Sequence, residues 1–276
     1  MHTDLDALIA AEAAFFRDHW DSAPDSATLA RYRAETVAER RLRLAETWFH
    51  RLQGCVAHGP FEGLRLDANP HWGKTDLCAM LLGTYEPEVM RFLKAGSVSG
   101  RKQFVDIGAA DGYFAIGALR SGWFNSACCY ELTAEGQATI ARVAEANGVA
   151  DRMSIFGEAK PQFYLELEGQ DWSDTVLLCD IEGGEFELFD EATLAALAGA
   201  DILIEVHNWI SDFWQRYTAL LKRASGHFEI ETFARRALPE SHLDILDGES
   251  DDNRMLMLSE GRPSVMRYLR LRSGGL

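Results

Sequence analysis

The stretch FVDIGAADGYF, residues 104–114, constrains the fold more than any other part of the chain. Its first four residues, which include the carboxylate of Asp106, are typical of a buried strand. Gly108 and Gly112 then flank a sharp turn, and an apolar, helix-compatible pattern follows. A strand, a glycine turn and a helix in this order build the crevice for a nucleotide-like cofactor in open α/β sheets.

The residues of the turn discriminate between cofactors. The dinucleotide pattern G-x-G-x-x-G would require glycine at positions 110 and 113, where the chain has Ala110 and Tyr113. Asp111 lies where a pyrophosphate would meet the helix N-terminus, and a fixed carboxylate there would repel it. S-adenosylmethionine has no phosphate and carries a cationic sulfonium, so an acidic turn suits it. The turn alone is equally compatible with another kind of α/β enzyme.

From residue 104 onward, apolar runs alternate with helical patterns. This alternation predicts an α/β fold with a doubly wound, mostly parallel, seven-stranded sheet of the Rossmann-like class. The five predicted parallel strands cover residues 104–107, 126–130, 153–156, 175–179 and 201–206. Residues 228–233 and 255–258 are predicted as two last strands, antiparallel at one edge. The arginine-rich segment 267–272 is interpreted as a solvated terminus.

The chain preceding this alternation has a different pattern. Apolar residues recur at helical spacing through the first 53 residues. Residues 1–95 are therefore predicted as an N-terminal helical extension, which is either a lid over the site or the interface of a homodimer. Residues 96–276 are predicted as the domain that binds S-adenosylmethionine.

The charge of the chain limits the classes of partner that it can bind, and its cysteine content indicates the redox compartment. The chain has 27 basic and 43 acidic residues, a net charge of -16, whereas proteins that bind nucleic-acid backbones show the opposite balance or a basic stripe. The five cysteines are odd in number and form no C-x-x-C pair, which favours buried thiols in a reducing compartment. No long apolar run or signal-peptide pattern opens the chain. We therefore expect a cytoplasmic protein with neither nucleic acid nor membrane as partner.

Polar residues at the predicted strand ends mark the crevice. Glu131 follows the second strand, about 20 residues beyond the glycine turn, where a carboxylate accepts hydrogen bonds from both ribose hydroxyls. Glu158 follows the third strand, where the adenine is expected. The predicted cofactor-binding residues are Asp106, Gly108, Ala109, Asp111, Gly112, Tyr113, Glu131, Glu158 and Asp180.

A second polar cluster follows the fourth and fifth strands. The run DIEGGE at residues 180–185 places three carboxylates after a buried strand, which is costly unless they meet solvent, a cation or a partner. Alternation along the next strand puts Glu205 and His207 on one face. Either His207, oriented by a carboxylate, is a general base, or Asp180, Glu205 and His207 hold a divalent metal. A hydrogen-bonded network that braces the strand ends is the remaining interpretation.

Several of these segments together resemble the FkbM-type methyltransferases of the class I S-adenosylmethionine-dependent fold. The matching segments are GTYE at 83–86, VDIGAADGYF at 105–114, Glu131, DIEGGE at 180–185 and IEVH at 204–207. The resemblance implies that Asp106, Gly108 and Gly112 contact the methionine part and that Glu131 holds the ribose. It also implies that Tyr85 and Glu86 close over cofactor or substrate, and that Asp180 and Glu182 line the reaction site. The substrate-binding candidates are Tyr85, Glu86, Glu182 and Trp209.

The favoured function is S-adenosylmethionine-dependent O-methylation of a hydroxyl on a small molecule, such as a saccharide or a secondary metabolite. A nicotinamide-dependent oxidoreductase on a similar sheet is one alternative, and the missing glycines argue against it. A non-catalytic methyltransferase-like binding module is the other.

Overall fold

The computed structural model describes residues 5–20, 25–72, 74–235, 243–262 and 265–273. The sheet formed by the described residues has seven strands in the order β3-β2-β1-β4-β5-β7-β6. The strands are β1 (Gln103–Ile107), β2 (Ser126–Tyr130), β3 (Met153–Phe156), β4 (Thr175–Cys179), β5 (Asp201–Val206), β6 (Phe228–Ala234) and β7 (Arg267–Ser273). Strands β1 to β5 run parallel and β7 runs antiparallel to both its neighbours. The predicted doubly wound, mostly parallel sheet is confirmed.

Helices flank the sheet and fill the chain before it. They are α1 (Leu5–Trp20), α2 (Ser26–Ala34), α3 (Val37–Arg51), α4 (Leu77–Leu81), α5 (Pro87–Val98), α6 (Tyr113–Arg120), α7 (Ala134–Ala146), α8 (Glu185–Leu188), α9 (Glu191–Ala196), α10 (Phe213–Ala224) and α11 (Asp251–Leu258). Within the described ranges, none of them combines the length and apolarity that crossing a bilayer requires.

Both faces of the sheet are buried. Phe104 and Val105 are neighbours on β1, yet they pack into different hydrophobic clusters, as expected for side chains that alternate across a covered sheet. A third cluster joins α3 and α4 to α11, with Trp48 fully buried in it. Helices α3 and α4 are therefore packed against α11, a helix far along the chain.

One predicted strand is wrong. Residues 255–258 belong to helix α11, which the Ser250 side chain caps by accepting from Asn253 N–H. The last antiparallel strand is instead β7, in the segment interpreted as a solvated terminus. Its apolar residues Tyr268, Leu269 and Leu271 are buried, and Arg270 pairs with Asp201 at 2.8 Å. Interspersed arginines concealed the strand because their charges are neutralised only after the sheet has formed.

The order of the strands creates the crevice. Strand β1 lies between β2 and β4, so the connections leave it in opposite directions. Ile107 at its carboxyl end is in register with Tyr130 on β2 and with Cys179 on β4. Ligands of open α/β sheets bind at such a reversal of strand order.

Candidate functional site

A cavity of about 430 Å³ lies at the carboxyl ends of β1 and β4. Its lining includes most of the predicted cofactor residues, namely Asp106, Gly108, Ala109, Asp111, Tyr113, Glu131, Glu158 and Asp180. Gly112 is not part of the lining and is instead the N-cap of α6, with a φ of 78°. The structure therefore brings residues from four strand ends together at one cavity.

Glycine is required at position 108 for two reasons. Its φ is +86°, and an added Cβ would lie 1.7 Å from the carbonyl oxygen of Asp180.

The backbone N–H groups of the turn already have hydrogen-bond acceptors within the protein. The N–H groups of Gly108 and Ala109 both donate to the carbonyl of Tyr130, and that of Ala110 donates to Glu131. These amides are consequently not free to hold a pyrophosphate.

The carboxylate of Glu131 is fixed at the cavity wall. Its Oε1 accepts from the Thr133 N–H at 2.9 Å and from the Thr133 hydroxyl at 2.8 Å. Its Oε2 accepts from the Ala110 N–H at 3.1 Å and keeps a lone pair for a further donor. A carboxylate held in this way is oriented before a diol arrives.

Gly136, in the first turn of α7, gives a test of this orientation. A Cβ there would lie 2.6 Å from Cγ of Glu131. Gly136→Ala should favour the helix by about 1 kcal/mol yet displace the carboxylate and weaken binding of S-adenosylhomocysteine about 10-fold. Calorimetric titration with S-adenosylhomocysteine, beside a thermal melt, measures both. Glu145→Ala, at an exposed position of the same helix, is the control. Unchanged affinity in Gly136→Ala would contradict a role for the position of Glu131.

Asp106 is buried in the cavity wall with an unsatisfied atom. It is 2% exposed, and its Oδ2 has no hydrogen-bond partner among the described residues. Burial, reinforced by the nearby Asp180 carboxylate, raises the pKa of Asp106 to about 7. The hydroxyl of Tyr113, on the same lining, also lacks a partner within the described ranges. Buried polar atoms are rarely left unpaired, so both point to a ligand that completes them.

His207 lies behind Asp180 and does not line the cavity. It is 1% exposed, with Nε2 3.3 Å from Asp180 Oδ1 and Nδ1 3.1 Å from Glu185 Oε1. Burial lowers the pKa of His207, but its hydrogen bonds to Asp180 and Glu185 outweigh burial and raise it to about 10. The ring is therefore an imidazolium at neutral pH, held between two carboxylates.

Glu205 and Glu86 lie deeper than predicted. Both are nearly fully buried, neither lines the cavity, and both pair with Arg262, which lies 2.6 Å from Glu205 Oε1. Burial and the Asp180 carboxylate raise the pKa of Glu205, and the Arg235 guanidinium opposes this shift. No sequence pattern pointed to Arg262, because it lies 57 residues beyond Glu205 and meets it only in the folded protein.

The candidate metal ligands fall into two groups. Asp180, Glu182 and His207 form one, and Glu86, Asp180 and Glu205 form the other, each with its ligand atoms within 4.8 Å of one another. In the described residues, Asp180, Glu205 and His207 do not form a single group. The first group includes the imidazolium of His207, paired with Asp180, and the second group is paired with the Arg262 guanidinium. A divalent ion would have to displace these pairs, so the donor set does not fit one as it stands.

Only two of the four substrate-binding candidates line the cavity. Tyr85 and Glu182 line the cavity, and the Tyr85 ring stacks on Phe114 with centroids 5.7 Å apart. Trp209 is 54% exposed, packs edge-on against His207 and does not line the cavity. Trp72, which the sequence offered as a candidate for the acceptor pocket, lines the cavity, and so does His71, which sequence reasoning did not assign to the site. The sequence signal for this segment was its combination of polar and aromatic residues at 71–76. It was weak because the segment does not follow a predicted strand, where site residues were expected.

Several solved structures are similar to part of this chain at low identity. An O-methyltransferase from Bacillus cereus in complex with SAH is 12% identical over 68% of this chain and 81% of its own, with a TM-score of 0.45. The ribosomal protein L11 methylase from Lactobacillus delbrueckii subsp. bulgaricus is 14% identical over 76% and 86%, with a TM-score of 0.43. Precorrin-6y C5,15-methyltransferase from Geobacter metallireducens is 14% identical over 69% and 90%, also at 0.43. No family model and no curated protein matches the chain. Likeness of this degree does not identify a reaction.

Proposed function

We propose that the protein is an S-adenosylmethionine-dependent methyltransferase that methylates a hydroxyl group of a small molecule. The observation that carries the proposal is the unpartnered Oδ2 of the 2% exposed Asp106, in the same cavity as the fixed Glu131 carboxylate. Asp106 would accept from the methionine ammonium and Glu131 from the ribose hydroxyls, with Glu158 near the adenine. When bound, the cofactor would supply an electrophilic methyl group.

The charge of the cavity supports a cationic cofactor. Eight lining residues are acidic, namely Asp76, Asp106, Asp111, Glu131, Glu158, Asp180, Glu182 and Glu187, whereas Lys160 is the single lysine or arginine in the described lining. A concave wall with one sign of charge attracts the opposite charge and repels its own. This favours a sulfonium cofactor and a neutral or cationic acceptor over a phosphorylated one or a nucleic acid.

The turn favours S-adenosylmethionine over a nicotinamide dinucleotide. A pyrophosphate is held by free backbone amides at a helix N-terminus. Here the amides of Gly108, Ala109 and Ala110 donate within the protein, and the Asp111 carboxylate faces the same cavity.

We assign the proton-accepting role to Asp180. Its side chain is 32% exposed and lines the cavity, and it is hydrogen-bonded to His207. His207, the base favoured from the sequence, already carries its proton and is therefore a positioning residue that orients the Asp180 carboxylate. Most of the acceleration would come from holding the acceptor hydroxyl in line with the transferred methyl group. Glu205 would act through Asp180, since it does not reach the cavity.

The resemblance to FkbM-type methyltransferases belongs to this proposal, with a saccharide or a secondary metabolite as acceptor and a cytoplasmic location. Four of its five matching segments, all except 204–207, contribute residues to the cavity lining. We also propose that residues 1–95 form an N-terminal extension and that residues 96–276 form the domain that binds the cofactor.

Transfer of a tritiated methyl group from S-adenosylmethionine to a panel of neutral and amino-bearing saccharides and polyols tests the proposal. We expect transfer by the wild type, and Asp180→Asn should lower turnover about 100-fold, as for loss of a general base. Its affinity for S-adenosylhomocysteine should change much less. Cofactor binding without transfer to any member would favour the non-catalytic module, and NADH-dependent reduction of a carbonyl would favour the oxidoreductase.

A further inference from the structure

Residues 67–72, here called the strap, cross from helix α7 to the glycine turn. At one end Asp67 pairs with Arg142 on α7 at 3.0 Å. At the other end both oxygens of the Asp111 carboxylate accept from strap amides. Oδ1 accepts from the His71 N–H at 2.6 Å, and Oδ2 from the Trp72 N–H at 3.4 Å. The strap is therefore tied to the two elements that bound the proposed cofactor site.

Two side chains of the strap line the cavity. His71 Nε2 lies 2.9 Å from the Thr133 hydroxyl and 3.9 Å from Glu131 Oε1, so the imidazole is beside the carboxylate proposed to hold the ribose. Trp72 lines the same cavity while 56% of its surface is exposed. A large ring on a cavity wall, open to solvent in the absence of ligand, gains buried area when a ligand covers it.

We propose that His71 and Trp72 contact the adenosyl part of the cofactor and that Asp111 is the positioning residue that holds them there. The inference rests on the proposed function and extends it. Asp111, predicted from the sequence to bind the cofactor, acts through the strap instead, because both of its oxygens are already engaged by strap amides. Asp111 therefore holds the strap in place, in addition to making the turn acidic.

Calorimetry with S-adenosylhomocysteine tests the assignment through a double-mutant cycle. The variants are Asp111→Ala, the pair His71→Ala with Trp72→Ala, and all three changes combined. We expect Asp111→Ala and the pair each to weaken binding about 10-fold, and the triple variant to be no weaker than the pair, because the changes remove one shared contact surface. If the effects of Asp111→Ala and of the pair multiply, Asp111 touches the cofactor directly and the proposal is overturned.

A matched carboxylate controls for charge. Glu187 lines the same cavity, is exposed and pairs with Arg216. Glu187→Gln removes one negative charge from the cavity, as Asp111→Ala does, without touching the strap. S-adenosylhomocysteine carries no sulfonium, so the negative charge of the cavity contributes little to its binding, and Glu187→Gln should weaken its affinity far less than Asp111→Ala does. An equal loss of affinity in Glu187→Gln and Asp111→Ala would mean that charge alone explains Asp111, which also overturns the proposal.

Tryptic cleavage provides a readout independent of affinity. Lys74 lies two residues beyond the strap, and its side chain is 32% exposed. Saturating S-adenosylhomocysteine should slow cleavage after Lys74 in the wild type at least about fivefold, since a covered strap opens less often. Asp111→Ala at saturation should lose most of this protection. If S-adenosylhomocysteine binds but leaves cleavage unchanged, the role proposed for the strap is wrong while the proposed function stands. If the wild type binds no S-adenosylhomocysteine, both the proposed function and the role of the strap are wrong.

Discussion

Asp106→Asn is expected to stabilise the ligand-free protein and to weaken its affinity for S-adenosylmethionine about 100-fold. The loss of affinity follows because the carboxylate would pair with a cationic ammonium, and a charged hydrogen bond contributes about 1.5–3 kcal/mol. The gain in stability follows because the buried carboxyl has its pKa raised from 3.8 to about 7, so the fold disfavours the ionised form.

The pH dependence of this stability has a definite sign. Between pH 3.8 and pH 7 the unfolded Asp106 ionises while the folded one stays protonated, so stability falls as pH rises through this window. Above pH 7 the loss is complete, at about 4 kcal/mol. Asparagine cannot ionise, so Asp106→Asn should exceed the wild type in unfolding free energy at pH 8 and lose this advantage near pH 4.

Urea unfolding at both pH values and calorimetry with S-adenosylmethionine measure the two effects. Wild-type affinity should also weaken as pH falls below about 7, because Asp106 must release its proton to bind a cation. Affinity in Asp106→Asn should lack this dependence. An Asp106→Asn variant that is less stable than wild type at pH 8, or that binds the cofactor equally well, would refute the role given to Asp106.

Gly108→Ala is expected to cost at least about 3 kcal/mol of stability and to abolish measurable cofactor binding. The added Cβ would meet the Asp180 carbonyl oxygen at 1.7 Å, so β1 and β4 would have to separate at the cavity. Backbone strain at positive φ accounts for only about 1–2 kcal/mol of this cost.

Gly100→Ala isolates the strain from the collision. Gly100 has a φ of +97° but no atom within 4 Å of the added Cβ. It should lose only the strain energy and retain cofactor affinity. Thermal melts and calorimetry on both variants make the comparison. Equal destabilisation of the two would show that contact between the turn and β4 is not what requires glycine at 108.

The parts of the fold that were predictable have local causes. Strands β1, β4 and β5 are mostly apolar because both faces of a covered parallel sheet are buried, and nearly all of their residues are buried. Strand β7 was not predictable in this way. Two of its arginines, Arg270 and Arg272, pair with Asp201 and Glu231, which are distant in sequence, so the segment resembles an exposed terminus until its partners are known.

The residues of the candidate site likewise differ in whether the sequence could predict them. The cavity residues of the glycine turn and Glu131 follow from spacing along consecutive strands and turns. The strap does not, because Asp111 and His71 are 40 residues apart and connect only after folding. Likewise, alternation along β5 singled out His207, but its protonation depends on Asp180 and Glu185 closing around it.

The most direct test of the central claim is a calorimetric titration of the wild-type protein with S-adenosylmethionine, repeated with NADH. If Asp106 and Glu131 form a cofactor cradle, S-adenosylmethionine should saturate a single site per chain and NADH should produce no binding heat. Absence of saturable binding by S-adenosylmethionine, or preferential binding of NADH, would contradict the account.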